Sequence, residues 1–500
     1  MKWNITNSFS PMNNKFQSTI NPPKVEFEYL FVPNYQIQHL SFHLLNQTKE
    51  FETKIDWNFN EYGKLWNYHL QYLQYLADEE IAISYRYFVL KDISQCILNG
   101  NVCLEPYPVS LRLIHSLIFI SKHQISDAVI SHAILKQVHF LEKNLEFHLL
   151  ANHLLENYIS LCFVFAMLGN PIKLNIYLPL LISELKQQVL SDGAHYERTP
   201  TYHANLLYRL QLLYQLMEAT EFKEQTFTEL QNFISRMISW IKKMESGDAG
   251  FPLFNDSVLS QTPSFSALIK FAVTKQILVL ELGLSSSGFR ILENEFFKVI
   301  INCGEILPSF QPGHAHSDML HFMVYQGRNL ILADCGVSTY EIGSNRLNER
   351  STKMHNTVSY NLENQSQIWQ SFRIAKRAQI QILKESENTI EAEVIWHTGF
   401  RHKRLFFLDQ HRIVIQDTVN SAEIRTMDIM SNFHFDIQEV EFNEDQIYLD
   451  QFNIELKFEG KTDSQLENYE QAVDFNVIKT SKKVIVHFED SLKTVIKYIV

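Results

Sequence analysis

The hydrophobic pattern of this chain changes period once, near residue 283, and that change restricts the fold more than any other feature. From about Tyr62 to about Gly283, apolar residues recur three and four positions apart, the spacing that gathers them on one face of a helix. Leu65, Tyr68, Leu70, Leu73, Leu76 and Ala77 mark one such face, and further helices are predicted over 109–121, 125–140, 144–168, 174–190, 201–219, 223–244 and 262–281. Pro171-Ile172, Asp192-Gly193 and Gly247-Asp248-Ala249-Gly250 punctuate them. After Gly-Leu-Ser-Ser-Ser-Gly at 283–288 the period becomes two, and a succession of short strands is predicted, from Phe296–Ile301 to Lys483–Phe488, with no helix between them. Helices with short connections pack in pairs, and uninterrupted short strands form an antiparallel sandwich. The expected fold is therefore multidomain, α then β: a mixed segment over 1–60 with short strands at Val25–Val32 and Phe51–Ile55, a helical array over 61–285, and a β-sandwich over 286–500.

Charge and cysteine usage exclude several classes of partner. Net charge is −12 and no run of Lys and Arg forms a basic track, which argues against nucleic acid. An anionic substrate stays open, because a few cations act within a Debye length of roughly 8–10 Å. Cys96, Cys103, Cys162, Cys303 and Cys335 are scattered and odd in number, which fits buried or reduced thiols rather than a disulfide framework. The first ten residues hold no apolar signal-like run, and Tyr158–Leu168 is too short to span a bilayer. These features lead to the expectation of a cytoplasmic protein without membrane insertion, for which an oligomer is allowed.

Three clusters carry chemistry. Asn152-His153 precedes Glu156, and His153 and Glu156, three apart, share a helix face and could hydrogen-bond. The bland alternative is an ordinary polar surface, but Phe147, Leu149, Leu150, Leu154 and Leu155 around them suggest burial. The second cluster, Asp192-Gly193-Ala194-His195-Tyr196-Glu197-Arg198-Thr199-Pro200-Thr201-Tyr202-His203, is rich in proton-transfer groups and ends where Thr199-Pro200 signals a helix start. The third combines Gly313-His314-Ala315-His316-Ser317-Asp318 with Asp334 and His355. In a strand, His314 and His316 would project to one face, and three imidazoles with a carboxylate make a divalent-metal site or a mixed metal and acid–base site. A solvated histidine pair beside an unrelated Asp is the bland reading.

Taken together, these clusters resemble the heparinase II/III-like polysaccharide lyases and the related alginate lyases, from Trp57 to about Arg404. The resemblance rests on Asn152-His153, the Asp192–His203 segment, Gly-His-x-His-x-Asp at 313–318, Asp334-x-Gly336, Arg350-Ser-Thr-x-x-His355-Asn-Thr and Trp369-x-Ser371-Phe372-Arg373. It implies an (α/α) toroid followed by a β-sandwich, and β-elimination across a uronic acid: a base takes the C5 proton and an acid protonates the departing C4 oxygen. By the same resemblance, Asn152 would neutralise the substrate carboxylate, His153 would serve as base or charge stabiliser, Tyr202 as acid or both acid and base, and His314 as the active-site histidine of the sandwich. Glu156, Arg198, His203, Arg350 and Arg373 would contact an acidic polysaccharide or oligosaccharide. His316, Asp334 and His355 would hold a structural zinc, with no organic cofactor. Tyr340 is a weaker candidate for a second active-site tyrosine, set aside on its spacing. Two other readings compete: a non-catalytic carbohydrate-binding or biosynthesis-associated protein of the same fold, and a metal-dependent hydrolase centred on His316, Asp334 and His355.

Overall fold

Prolines and short polar residues set where the helices of the first half begin. Pro106, Pro171 and Pro200 open the helices Pro106–His123, Pro171–Gln188 and Pro200–Ala219, a position where the missing N–H costs nothing and φ is already helical. Asp127 caps Ala128–Lys143 by accepting from the amides of Val129 and Ile130, and Ser264 caps Phe265–Thr274. The computed structural model describes residues 19–220, 225–247, 250–420, 428–443 and 446–499. The expectation drawn from the first ten residues, and Asp248-Ala249 of the predicted turn, lie outside them.

At the centre of the helical half is Ala151–Met167, in which every residue except His153 is buried. Its start differs from the predicted 144–168, because Leu150 (φ 59°) and Ala151 (φ 48°) adopt left-handed backbone that no continuous helix tolerates. Phe265–Thr274 is likewise shorter than 262–281, with Gln276 at φ 55° just beyond its end. Ile83–Leu98 is a helix that the periodicity did not single out. It exposes Ile83 and Phe88 while burying Val89, Leu90, Ile93 and Ile97, so its apolar residues wrap round the axis instead of forming one stripe. Near the N-terminus, Val25–Val32 and Phe51–Ile55 are not strands. Three strands lie between them, Gln36–Gln38, Ser41–Leu44 and Gln47–Glu50, joined by turns with positive φ at His39, Leu45 and Asn46.

Beyond Phe289 the chain forms antiparallel sheets. A four-stranded meander runs through Phe289–Glu293, Lys298–Asn302, Phe322–Gln326 and Asn329–Leu332. A larger sheet orders Gln379–Ser386, Thr389–Ile395, Arg401–Leu408, Arg412–Val419, Val477–Tyr498 and Ile454–Asp474 side by side, and continues to Glu441–Asn443. Val299, Ile301 and Phe322 of the first sheet share one apolar core with Phe406, Ile413 and Val484 of the second. Period-two reading found only pieces of the hairpin Ile454–Asp474/Val477–Tyr498, because from Glu459 to Glu470 most side chains are exposed and the apolar alternation is lost. Residues 303–321 form an irregular connection apart from short turns, so His314 and His316 are not on a strand.

Two devices tie the halves together. Asp192 accepts hydrogen bonds from the amides of Ser285 and Ser287 and from the Ser287 hydroxyl, which anchors the boundary segment. The stretch from Phe251 to Val258 inserts between the halves: Asn255 Nδ2 donates to the Arg198 carbonyl (2.9 Å), its Oδ1 accepts from the His316 amide (3.2 Å), and the Asp256 amide donates to the His314 carbonyl (3.3 Å). Asn255 is at φ 55°, a conformation its short side chain accepts more readily than most. Among the described residues, no helix is long and apolar enough to cross a membrane.

Candidate active site

A cavity of about 290 Å³ lies where the halves meet. The helix Pro200–Ala219 presents Tyr202, Asn205 and Arg209 to it, an i, i+3, i+7 stripe on one helical face. Ala151–Met167 contributes Asn152 and His153, and the sheet half contributes His314, Tyr340 and Phe372. Aromatic rings, among them Tyr68, Tyr72, Tyr107 and Phe475, make up much of the rest of the wall, as suits a sugar with apolar faces and polar edges.

The polar groups converge. Tyr202 and Tyr340 lie with their hydroxyls 3.2 Å apart, and the Tyr202 ring is 4.2 Å from that of His314. Burial pushes the Tyr202 phenol well above its ordinary range, and Tyr340 and the charge of Asp256 push it further. A neutral phenol is a proton donor, so this environment favours the acid role. His153 donates from Nδ1 to Glu146 (3.0 Å) and rests 4.6 Å from the Tyr107 ring; with the proton on Nδ1, Nε2 is the basic nitrogen. Asn152 donates from Nδ2 to Glu197 (2.8 Å), while its Oδ1 has no partner among the described residues. The second Nδ2 hydrogen is left for a ligand acceptor. The two left-handed residues just before Asn152 are the kind of backbone strain that accumulates at functional sites.

Asp256 organises the sheet side. Fully buried, it forms a fork with Arg346 (Nη1–Oδ1 2.5 Å, Nη2–Oδ2 2.6 Å) and accepts from His314 Nδ1 (2.9 Å) and His316 Nε2 (2.8 Å). Burial alone would raise its pKa, but Arg346 and both histidines outweigh this and hold the carboxyl well below its ordinary range. His314 retains some exposure and offers Nε2 to the cavity, whereas His316 is fully buried. One carboxylate from the helical half therefore orients both histidines, a role that strand geometry was expected to play.

Behind His316 lies a second carboxylate, Asp334. His355 Nδ1 is 2.9 Å from its Oδ2 and His321 Nε2 is 3.0 Å from the same oxygen, the latter outside hydrogen-bond alignment. Gly336 (φ 74°) lets this loop pass the strand Ile454–Asp474; a Cβ there would sit 1.9 Å from the Ala472 carbonyl oxygen. His321, Asp334 and His355 have ligand atoms within 4.8 Å of one another, and His321 was not among the predicted ligands. Its Nδ1 accepts the Asn356 amide (2.9 Å), which keeps the proton on Nε2 and leaves that nitrogen no lone pair for a metal. His316 shows the opposite pattern: Nε2 donates to a carboxylate and the buried Nδ1 has no partner among the described residues, nor has Nε2 of His355. A ligating imidazole whose other nitrogen donates to a carboxylate is a recurrent metal-site arrangement. The rings of His316 and His355 are 5.3 Å apart. The orphaned nitrogens of His316 and His355 suit a divalent cation of the zinc type, and of the two only His355 belongs with Asp334 to the group whose ligand atoms lie within 4.8 Å of one another.

Of the predicted residues, Asn152, His153, Tyr202 and His314 line the cavity. Those expected to contact substrate do not. Arg198 spends its guanidinium on the Ser287 and Glu305 carbonyls and on Asn302, and Arg350 on the Ala315 and Gln370 carbonyls; both brace loops. His203 accepts the His195 amide and donates to the Met237 carbonyl, against Trp240. Glu156 is buried away from the cavity wall, and His153 pairs with Glu146 instead. Arg373 is exposed on the short strand Arg373–Ile374, outside the cavity. Tyr340, set aside on spacing, belongs to the site. Asp256 and Arg346 were missed, since nothing local distinguishes them. Asn205 and Arg209 could have been found from their helical spacing to Tyr202.

Two family models match the chain: Heparinase II/III N-terminus over residues 114–275, and Heparinase II/III-like, C-terminal, over residues 282–498. Among solved structures it resembles heparinase III (TM-score 0.73, 16% identity, covering 90% of this chain and 80% of that one). It also resembles a heparan sulfate lyase from Pedobacter heparinus (0.57, 16%, 90% and 79%). The chondroitin AC lyase of Streptomyces coelicolor, in complex with chondroitin sulphate, follows (0.52, 9%, 87% and 75%). At these identities the likeness establishes the fold: a helical first region and a second region rich in antiparallel sheet. No curated protein matches.

Proposed function

Because the chain belongs to the heparinase II/III-like family, we propose that it is a polysaccharide or oligosaccharide lyase, cleaving a uronic-acid-containing glycan by β-elimination. In the same reading the helical half is an (α/α) toroid and the sheet half a β-sandwich. The observation that carries it is Tyr202, a phenol held neutral, its ring tilted by 35° and 4.2 Å from that of an imidazole whose Nδ1 is committed to Asp256.

The chemistry follows from these groups. Asn152, its amide fixed by Glu197, donates to the uronate carboxylate and steadies the charge that develops on it. A histidine Nε2 removes the C5 proton; the electron pair forms the C4–C5 double bond, the C4–O bond breaks, and the departing oxygen takes the Tyr202 proton. His153 and His314 offer this base from walls built by different halves, and the C5 epimer decides which is used. Tyr340, 3.2 Å from the Tyr202 hydroxyl, hydrogen-bonds the phenolate so formed. His316, Asp334 and His355 would hold a zinc ion, which when bound supplies fixed positive charge beside the loop that carries His314.

Incubation with a panel of uronate polymers and oligosaccharides tests the proposal. The expected result is the absorbance of an unsaturated uronate product from the wild type and a rate reduced by about 10²–10⁴-fold in Tyr202→Phe. Glycan binding without any unsaturated product, unchanged in Tyr202→Phe, would assign the protein to carbohydrate binding instead.

A further inference from the structure

Arg209 lies on the cavity wall and is 4% exposed. Its Nε and Nη1 have no hydrogen-bond partner among the described residues. Other buried guanidiniums of this chain are engaged: Arg346 with Asp256, Arg404 with Asp417, Arg350 with the Ala315 and Gln370 carbonyls. Withdrawing a guanidinium from water without acceptors is costly, so this one is placed for a group that arrives from outside. Glu156, whose carboxyl feels the charge of Arg209 and is raised by burial to about 7, has a buried Oε2 without a hydrogen-bond partner among the described residues and is not bonded to Arg209. Arg209 is seven residues after Tyr202 on one helical face, two turns along the same wall. The remaining cation of the cavity, Lys64, is paired with Glu105 at 2.7 Å.

We propose that Arg209 is the anion-recognition residue of this cavity, its guanidinium taking one oxyanion of the bound glycan, a uronate carboxylate or a sulfate. The inference rests on the lyase reading and narrows it. A guanidinium matches such oxyanions through two parallel N–H···O bonds. One unpaired guanidinium serves one anion, which suits a glycan of low charge density over a densely sulfated one.

Calorimetry on the Tyr202→Phe chain measures binding without turnover. The probes are an unsulfated uronate tetrasaccharide, its carboxyl-reduced counterpart, and a sulfated tetrasaccharide with its desulfated form. Arg209→Gln is expected to weaken the anionic ligand about 10–100-fold. The loss should vanish with the carboxyl-reduced ligand if a carboxylate is recognised, or with the desulfated one if a sulfate is. An equal loss for charged and neutral ligands, or no loss, overturns the proposal while leaving the lyase reading intact. If the wild-type cavity binds none of the four, the lyase reading fails and this inference with it. Melting adds an independent readout: Arg209→Met should match or exceed the wild type, and a fall of several degrees would show a structural arginine and overturn the assignment.

Discussion

Asp256 and Asp334 are both fully buried, both touch two histidines, and both are held well below the ordinary carboxylate range. They differ in what balances their charge. Asp256 has a forked guanidinium, Arg346, on both oxygens. Among the described residues Asp334 pairs with no arginine or lysine, its oxygens facing two imidazoles and the Gly336 amide, and burial resists charging His355 until the attraction of Asp334 overcomes it and lifts its pKa. A carboxylate with its own arginine is complete and can orient other groups. One balanced by imidazoles alone is the place where a cation adds most, because the histidines can exchange protons for metal.

The contrast can be broken in four ways. Asp256→Ala strands a buried guanidinium and should cost about 3–5 kcal/mol of stability, with activity lost as both histidines come adrift; a mild effect in denaturant melts would mean that the fork is dispensable. Next comes the histidine pair. His314→Gln should lower turnover about 10²–10⁴-fold with metal content and melting unchanged, whereas His316→Gln should lose the metal, as read by elemental mass spectrometry. If both variants behave alike, the two carboxylates do not separate catalysis from metal binding. Glu156 offers a third mode of neutralisation, by a proton. Its pKa rises from 4.5 to about 7 on burial, so the stability it confers is complete below about pH 4.5 and is lost as pH rises through about 7, to the extent of about 3 kcal/mol. Melting the wild type and Glu156→Gln from pH 5 to 8 should show the wild type declining relative to the variant; parallel curves would contradict a protonated Glu156. The smallest effect concerns Asp334 itself. A chelator should lower the melting temperature of the wild type, by about 1–3 kcal/mol equivalent, and leave Asp334→Asn unmoved.

The parts of the site that can be read from sequence are those fixed by local geometry. Asn152 and His153 interrupt a largely apolar run, and Tyr202 follows a Thr-Pro helix start that fixes its face. The array of helices followed by strands was legible because each element buries one side. Misreadings arose where tertiary contacts decide. Arg198 and Arg350 resemble anion binders by type, yet their donors are consumed by carbonyls more than a dozen residues away in sequence or across the half boundary. His314 and His316 share a partner through Asp256, some sixty residues earlier, which no local periodicity reveals. Arg209 was overlooked for the opposite reason: its cue, seven residues from Tyr202, is a plain helical spacing that the chemical motifs overshadowed.

The insertion of Phe251–Val258 between the halves has a consequence for how activity is acquired. Asp256 travels with the helices, but the imidazoles and guanidinium it aligns travel with the sheets. His153 and Tyr202 both stand in the helical half, but His314 is aligned only when the carboxylate of that half reaches it, so a nascent or partly opened chain lacks the complete site until docking is complete. Turnover thus doubles as a report on correct assembly, and a chain cut near 283 should regain it only when the two pieces reassociate.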